Sequence, residues 1–373
     1  MANLFFIHTP LQLLVAQQII RQEKLKNNVM LYGYVDGNEH FLKLYELTII
    51  DNLWSARIAM PKVARWAIIS RKHLVRDCCQ VWRNYCFIKK IITDYDINKL
   101  FLGDVQNISC QLAALSFHKK GLKICFFEEG SGHYVMDYGY GIAGDFKDKF
   151  YSVLIDLFYY LPFYGVNFGH IRYWKGFTLS ALPMDVRYSL VPFYRESFDR
   201  LITYKPMLSD SLKAFLEKDT HGVDTNGCKL LLTSPFYING IDDDPKPYVK
   251  TIIEYACRTC KKGVLHIKFH PRETRNVRQL ILERLESEGI QYIILGSEKN
   301  IPVEYYLQYI HYDQIVMFLC STAYYNGYLF PKTKFVSLLN DYLENCKAVG
   351  SVNVKFIESI LKNEKQPIQI KNR

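Results

Sequence analysis

Residues 4–22 read LFFIHTPLQLLVAQQIIRQ, and the break in the middle decides the fold. Leu4 to His8 is an apolar, strand-like run. Thr9-Pro10 then changes the period. A threonine hydroxyl can cap the free N–H groups of a helix, and proline at the first helical position loses no hydrogen bond. An amphipathic helix through about Gln22 follows. A strand that feeds directly into a helix is the first half of a βαβ unit.

The pattern continues outward from this unit. Val29 to Tyr34, Lys99 to Gly103 and Leu122 to Phe127 read as further strands, the last two preceded by helical pattern. From Gly130 to about Asp219 the chain is irregular and aromatic, and reads as loops and helices that complete a first domain. KDTHGVDTNG, from Lys218 to Gly227, is the best linker. A second alternating series follows. Its strands are Lys229 to Thr233, Val264 to Phe269, Gln291 to Leu295, Ile315 to Leu319 and Lys334 to Leu338; its helices include Tyr248 to Lys262 and Val277 to Glu288. The expectation is an α/β protein of two Rossmann-like domains, 1–222 and 223–373, with a cleft between them, which is the GT-B glycosyltransferase arrangement.

Bulk composition narrows the function. At 373 residues and 49% hydrophobic, the chain has ample material for two cores. A net charge of +10 favours anionic partners. Nucleic acid is not expected, because zinc-finger spacing, an RNP-type motif and a basic arm are all missing. Cys257-Arg-Thr-Cys260 has no second pair at zinc spacing and sits in a helical pattern, so no metal is expected. The opening MANLFFIHTPLQ has no basic region ahead of its apolar run and reads as a strand, not a secretion signal. A cytoplasmic protein with reduced thiols is expected. No apolar run is long enough for a spanning helix. The aromatic stretch from Phe150 to Phe168 reads as a buried helix with a loop, or as a patch resting on a membrane surface.

Three clusters at strand exits carry the chemistry. Glu128-Glu129-Gly130 follows LKICFF, His270-Pro271 follows VLHIKF, and Ser321-Thr322 follows IVMFL. Open α/β sheets bind ligands outside the carboxyl ends of their strands. A carboxylate there can take a proton from an attacking hydroxyl, although the same pair also reads as an exposed acidic turn. Adjacent residues on extended chain point to opposite sides, so one of Glu128 and Glu129 reaches a given atom, and the sequence leaves open which. Gly130 begins a Gly-Ser-Gly turn that lets backbone approach a ligand. Pro271 ends its strand and sets the direction of His270, while Lys268 and Arg272 add positive charge. The histidine can hydrogen-bond a phosphate and donate a proton to it as it leaves, or be structural. Ser321 and Thr322 read as hydroxyls at a helix start, fit for a phosphate or for simple capping.

Together these clusters resemble the bacterial sialyltransferases. The acidic pair before glycine, the His-Pro motif and the small-hydroxyl pair stand in the order of that family, with Ser-Thr in place of the commoner Ser-Ser. FFEEGSGHY, IKFHPRE and FLCSTAYYNGYLFP are similar to segments of the capsular polysialyltransferases. FFIHTPLQLLVAQQII is similar to the start of that family and of the lipooligosaccharide sialyltransferases. The resemblance implies an inverting, metal-independent GT-B enzyme that uses CMP-sialic acid as donor and a glycan or glycolipid as acceptor, with no cofactor. It implies Glu128 or Glu129 as general base, His270 at the departing CMP phosphate, Ser321 and Thr322 on that phosphate, and Glu304 on the ribose hydroxyls. It places the work on the cytoplasmic face of the inner membrane, with peripheral contact. The alternatives are transfer of another sugar, such as Kdo from CMP-Kdo, and a non-catalytic glycan-binding scaffold.

Overall fold

The computed structural model describes residues 1–33, 39–60, 74–103, 108–127, 184–190, 199–221, 228–235, 244–260, 263–296, 301–318, 330 and 332–345. The chain divides into two compact units, Met1–Lys205 and Pro206–Arg373.

The first unit contains β1 (Ala2–Ile7), α1 (Pro10–Gln22), β2 (Asn28–Tyr32), α2 (Glu39–Thr48), β3 (Ala56–Ala59), α3 (Leu74–Asp94), β4 (Ile97–Leu102), α4 (Ile108–Lys119), β5 (Lys123–Phe127), β6 (Val186–Ser189) and β7 (Arg200–Leu201). The sheet runs β3-β2-β1-β4-β5-β6-β7, with every pairing parallel. The chain winds outward from β1 on one side and from β4 on the other, so β1 and β4 flank a topological switch point.

The Thr9-Pro10 start is built as its residue types require. The Thr9 hydroxyl accepts the Gln12 N–H at 3.2 Å, and the Gln12 side-chain oxygen accepts the N–H groups of Thr9 at 3.3 Å and His8 at 2.6 Å. This reciprocal capping fixes the angle at which α1 leaves β1. The other glutamines of α1 are used just as fully. Gln17 accepts from the Ile50 N–H and donates to the Thr48 carbonyl. Gln18 pairs with both backbone groups of Lys205, and Gln22 binds Leu201 and Thr203. The buried amides of Gln17 and Gln18 thereby satisfy loop backbone that has no strand partner, and the exposed Gln22 does so at the surface.

Alternation along the strands sorts the core. Leu4, Phe6, Leu31, Leu100, Leu102 and Ile124 pack with Ile88, Ile91 and Phe117 of α3 and α4. Phe5 lies on the opposite face, stacked on Phe101 at 4.2 Å and edge-on to Trp54 at 5.5 Å. Gly103 shares that face at the end of β4. A Cβ there would stand 2.7 Å from Phe127 and 2.8 Å from Gln12, so only glycine lets the strand exit approach the start of α1.

The second unit contains α5 (Asp210–Asp219), β8 (Lys229–Leu232), α6 (Lys246–Thr259), β9 (Leu265–Lys268), α7 (Arg275–Ser287), β10 (Tyr292–Ile294), α8 (Val303–Tyr309), β11 (Gln314–Met317), β12 (Lys334–Ser337) and α9 (Leu339–Asn345). Its sheet runs β10-β9-β8-β11-β12, again all parallel, with the switch point between β8 and β11. Leu265, Ile267 and Phe269 face a core shared with Tyr248, Ile252, Ile281 and Leu285. The intervening residues His266 and Lys268 face the other way and are also buried. Burial pushes the His266 imidazole down to about 4, although Asp219 acts in its favour; one ring nitrogen meets the Tyr312 hydroxyl at 2.8 Å.

The α/β class and the two Rossmann-like halves expected from the sequence are both present, and each unit has the parallel construction of a GT-B half. Three strands departed from the reading. β3, β6 and β7 were not foreseen, and the stretch read as loops and helices contributes the last two. All three are short: ARIA, VRYS and RL. β3 and β7 are the edges of their sheet, where half-exposed, charged strands carry no apolar run. The expected boundary at 222/223 also differs from the observed division at 205/206. The cause is α5, whose Asp219 accepts hydrogen bonds from the Gly296 N–H at 2.7 Å and the Tyr306 hydroxyl at 2.6 Å, inside the second unit. The aromatic stretch from Phe150 to Phe168 lies outside the described residues.

Two outcomes follow from this packing. Gly103→Ala overpacks the β4 exit and lowers stability by about 1–3 kcal/mol in denaturant titration. Because the folded His266 binds its proton only near pH 4 while an unfolded histidine binds it near 6.5, the unfolded state takes up more protons between those values. Stability is therefore full above about pH 6.5 and falls as pH drops toward 4, by on the order of 3 kcal/mol from this residue. Replacing His266 with glutamine flattens that part of the pH–stability curve.

Candidate active site

The carboxyl ends of β8 and β9 carry the described part of the site. Thr233 and Ser234 leave β8, and Phe269 and His270 leave β9. The His270 N–H donates to the Thr233 hydroxyl at 2.8 Å, crossing from one strand exit to the next. The His270 carbonyl accepts from the Glu273 N–H at 2.9 Å and from the Arg278 guanidinium at 3.1 Å. Pro271 stands inside this turn, where it has no N–H to place. Arg278 also lies over the Phe269 ring at 5.4 Å. Three groups, on the β8 exit, in the turn itself and on α7, therefore fix the backbone of one half-buried histidine.

The ring itself is oriented by a single bond. His270 Nδ1 accepts the Arg272 N–H at 3.1 Å. A backbone N–H can only donate, so this nitrogen carries no proton, and the neutral ring holds its proton on Nε2. Nε2 has no partner among the described residues. Desolvation lowers the His270 pKa, and the positive charges of Arg272, Lys268 and Arg278 lower it further. At neutral pH the residue is thus a neutral imidazole offering one N–H, surrounded by cations.

A buried network supports the turn from behind. Tyr248 is fully buried, and its hydroxyl accepts the Ser234 N–H at 2.9 Å and donates to the Glu273 carboxylate at 3.0 Å. Burial first, and then the Glu273 charge, push the Tyr248 pKa well up, so it stays a donor. Thr233, Ser234, Tyr248 and Glu273 were not singled out by the sequence. Glu273 and Tyr248 are 25 residues apart, and Thr233 and His270 are 37 apart.

On the other face of β9, Lys268 is buried with its ammonium 5.9 Å from the centre of the Tyr306 ring. Desolvation lowers its pKa to about 8; Asp219 and Glu304 oppose that shift and Arg278 adds to it. Glu304 is buried in the first turn of α8, two residues before Tyr306. The structure thus brings His270, Pro271, Lys268 and Glu304 into one unit, with Lys268 and Glu304 in electrostatic contact. Glu128, Glu129, Gly130, Ser321 and Thr322 lie outside the described residues. The strands that lead to them end at Phe127 for β5 and Met317 for β11. Among the described residues, no group of three or more His, Cys, Asp or Glu is arranged to hold a metal ion, and no helix is long and apolar enough to cross a membrane.

Residues 3–339 match the family model described as alpha-2,8-polysialyltransferase (POLYST). No curated protein matches the chain in sequence. Among solved structures, the chain is similar to the alpha/beta-galactoside alpha-2,3-sialyltransferase of Photobacterium phosphoreum, with a TM-score of 0.47 and 11% identity over 92% of this chain and 95% of that one. It is similar as well to the UDP-GlcNAc 2-epimerase of Methanocaldococcus jannaschii, with a TM-score of 0.48 and 11% identity over 100% of this chain and 94% of that one.

Tyr248→Phe removes the hydroxyl that meets the buried Ser234 N–H and Glu273 carboxylate and costs about 1–3 kcal/mol of stability. Thr233→Val orphans the His270 N–H with a loss of similar size, whereas Thr233→Ser keeps the acceptor and stays near wild type. Denaturant titration of the three variants checks this order.

Proposed function

The chain belongs to the alpha-2,8-polysialyltransferase family, and from that membership we propose an inverting, metal-independent transfer of sialic acid from CMP-sialic acid to a hydroxyl of a glycan acceptor. The observation that carries the reading is the fixed tautomer of His270. A neutral imidazole aiming one Nε2–H from a strand exit, with Lys268, Arg272 and Arg278 in its field, suits a phosphate whose negative charge grows as it leaves. CMP departs as a stable anion once that charge is met, so the donor side needs hydrogen bonds and positive charge and no Lewis acid.

In this reading His270 acts at neutral pH as a hydrogen-bond donor to the departing phosphate. Full proton transfer would require the imidazolium, which the neighbouring cations disfavour until an anionic ligand offsets them. Lys268 and Arg272 supply charge, Pro271 holds the histidine's direction, and Ser321 and Thr322 bind phosphate oxygens. Glu304 takes the ribose hydroxyls. Gly130 lets backbone approach the donor, and on the acceptor side one carboxylate of Glu128 and Glu129 removes the proton of the attacking hydroxyl. The GT-B cleft expected from the sequence would bring the two sides together. A protein of charge +10 attracts both the sialyl carboxylate and an acidic acceptor. Work at the cytoplasmic face of the inner membrane, with peripheral contact, fits lipid-linked acceptors.

The test is CMP release from CMP-sialic acid with sialyl-terminated and lactose-type acceptors, in chelator, with product masses read in parallel. Acceptor-dependent release is expected. It falls by about 10²–10⁴-fold in one of Glu128→Gln and Glu129→Gln, and by about 10²-fold or more in His270→Ala. A ladder of product masses marks polymerisation, and a single added mass marks one transfer. Turnover of CMP-Kdo in place of CMP-sialic acid overturns the donor. Full activity in all three variants overturns the assignment of the site.

A further inference from the structure

Asp219 ends α5 in a stretch that reads as linker, yet it is bonded into the core of the second unit. One carboxylate oxygen, Oδ2, accepts both the Gly296 N–H at 2.7 Å and the Tyr306 hydroxyl at 2.6 Å. The first bond fixes a turn in which Gly296 has a φ of +69°, just after β10. The second fixes α8, which also carries Glu304 two residues earlier. The Tyr306 ring in turn lies against the ammonium of Lys268. One carboxylate thus touches the supports of two residues assigned above to the nucleotide.

Charge points to the same residue. Lys268 has around it Asp219 from α5, Glu304 and Tyr306 from α8, Arg278 from α7, and His270 from its own strand segment. Of the charges that favour its ammonium, Asp219 is the largest and Glu304 the second.

We propose that Asp219 is a positioning residue of the nucleotide side, fixing the Gly296 turn and placing a carboxylate on Tyr306, the ring that meets Lys268. This rests on the reading of Lys268 as part of the donor site. Without the carboxylate, burial is less opposed and Lys268 gives up its proton at lower pH. Asp219→Asn is the informative change. An amide oxygen in the same place still accepts from Gly296 and Tyr306, so geometry is kept and charge is lost.

The experiment is CMP affinity by calorimetry from pH 6.5 to 9, expressed as the ratio of each variant to wild type. Wild-type affinity is expected to fall as pH rises through about 8, where Lys268 deprotonates. In Asp219→Asn that fall begins about one pH unit lower, giving about threefold weaker binding at pH 7.5 and a ratio that returns toward one at the acid end. Asp219→Ala shows the same shift plus weaker binding at every pH, because the two hydrogen bonds are gone. Lys268→Met binds weakly with no fall near pH 8. A purely structural role for Asp219 predicts an Asn variant with the wild-type pH profile; that result, with the fall still abolished in Lys268→Met, overturns the inference alone. CMP binding unchanged in Lys268→Met overturns the donor reading of Lys268, and the inference falls with it. Thermal melts of Asp219→Asn near the wild-type value show that the comparison concerns folded protein.

Discussion

Parallel pairing is the constraint on which the rest depends. A strand that joins its neighbour in parallel must leave by one edge and return through a crossover. Every strand in both sheets does so. All exits of a sheet therefore lie on one side, and the reversal of winding order opens a gap between β1 and β4 in one unit and between β8 and β11 in the other. Residues placed just after strands are gathered there whatever their distance in sequence. His270 and Thr233 meet for that reason. Ser321 and Thr322 follow β11, the strand across the gap from β8.

Parallel strands buried on both faces also explain the polar groups inside the second unit. The alternation that puts Leu265, Ile267 and Phe269 into one core puts His266 and Lys268 into the other. Each then needs partners, which come as Tyr306 and Glu304 of α8, Asp219 of α5 and Tyr312 of the connection from α8 to β11. Buried charge is expensive unless it is paired and hydrogen-bonded. A lysine kept at such a position, two residues before the motif histidine, is consistent with a task that needs charge close to a ligand. The same logic applies to the Tyr248–Glu273 pair, which fixes the His-Pro turn through bonds that no solvent can replace.

Much of this was legible beforehand, for identifiable reasons. Thr9-Pro10 was readable because capping is a local matter of three or four residues. β1, β2, β4, β5, β8, β9 and β11 were readable because central parallel strands are apolar runs, and the edge strands β10 and β12 because they too keep short apolar runs. His270 stood out because proline follows it. β3, β6 and β7 were hidden by their length and charge. Thr233, Tyr248 and Glu273 were hidden because nothing in their neighbours marks them, and their partners lie tens of residues away.

The sequence by itself determined the α/β class, the sites where helices begin, the alternation of faces and the order of the three motifs, since these rest on periodicity, capping and family pattern. Tertiary structure alone decided that Asp219 serves the second unit, 77 and 87 residues from its two partners. It alone decided the surroundings of Lys268. Those properties arise from hydrogen bonds and burial between segments remote in the chain, and a local pattern of residues carries no record of which remote group will supply the missing donor, acceptor or charge.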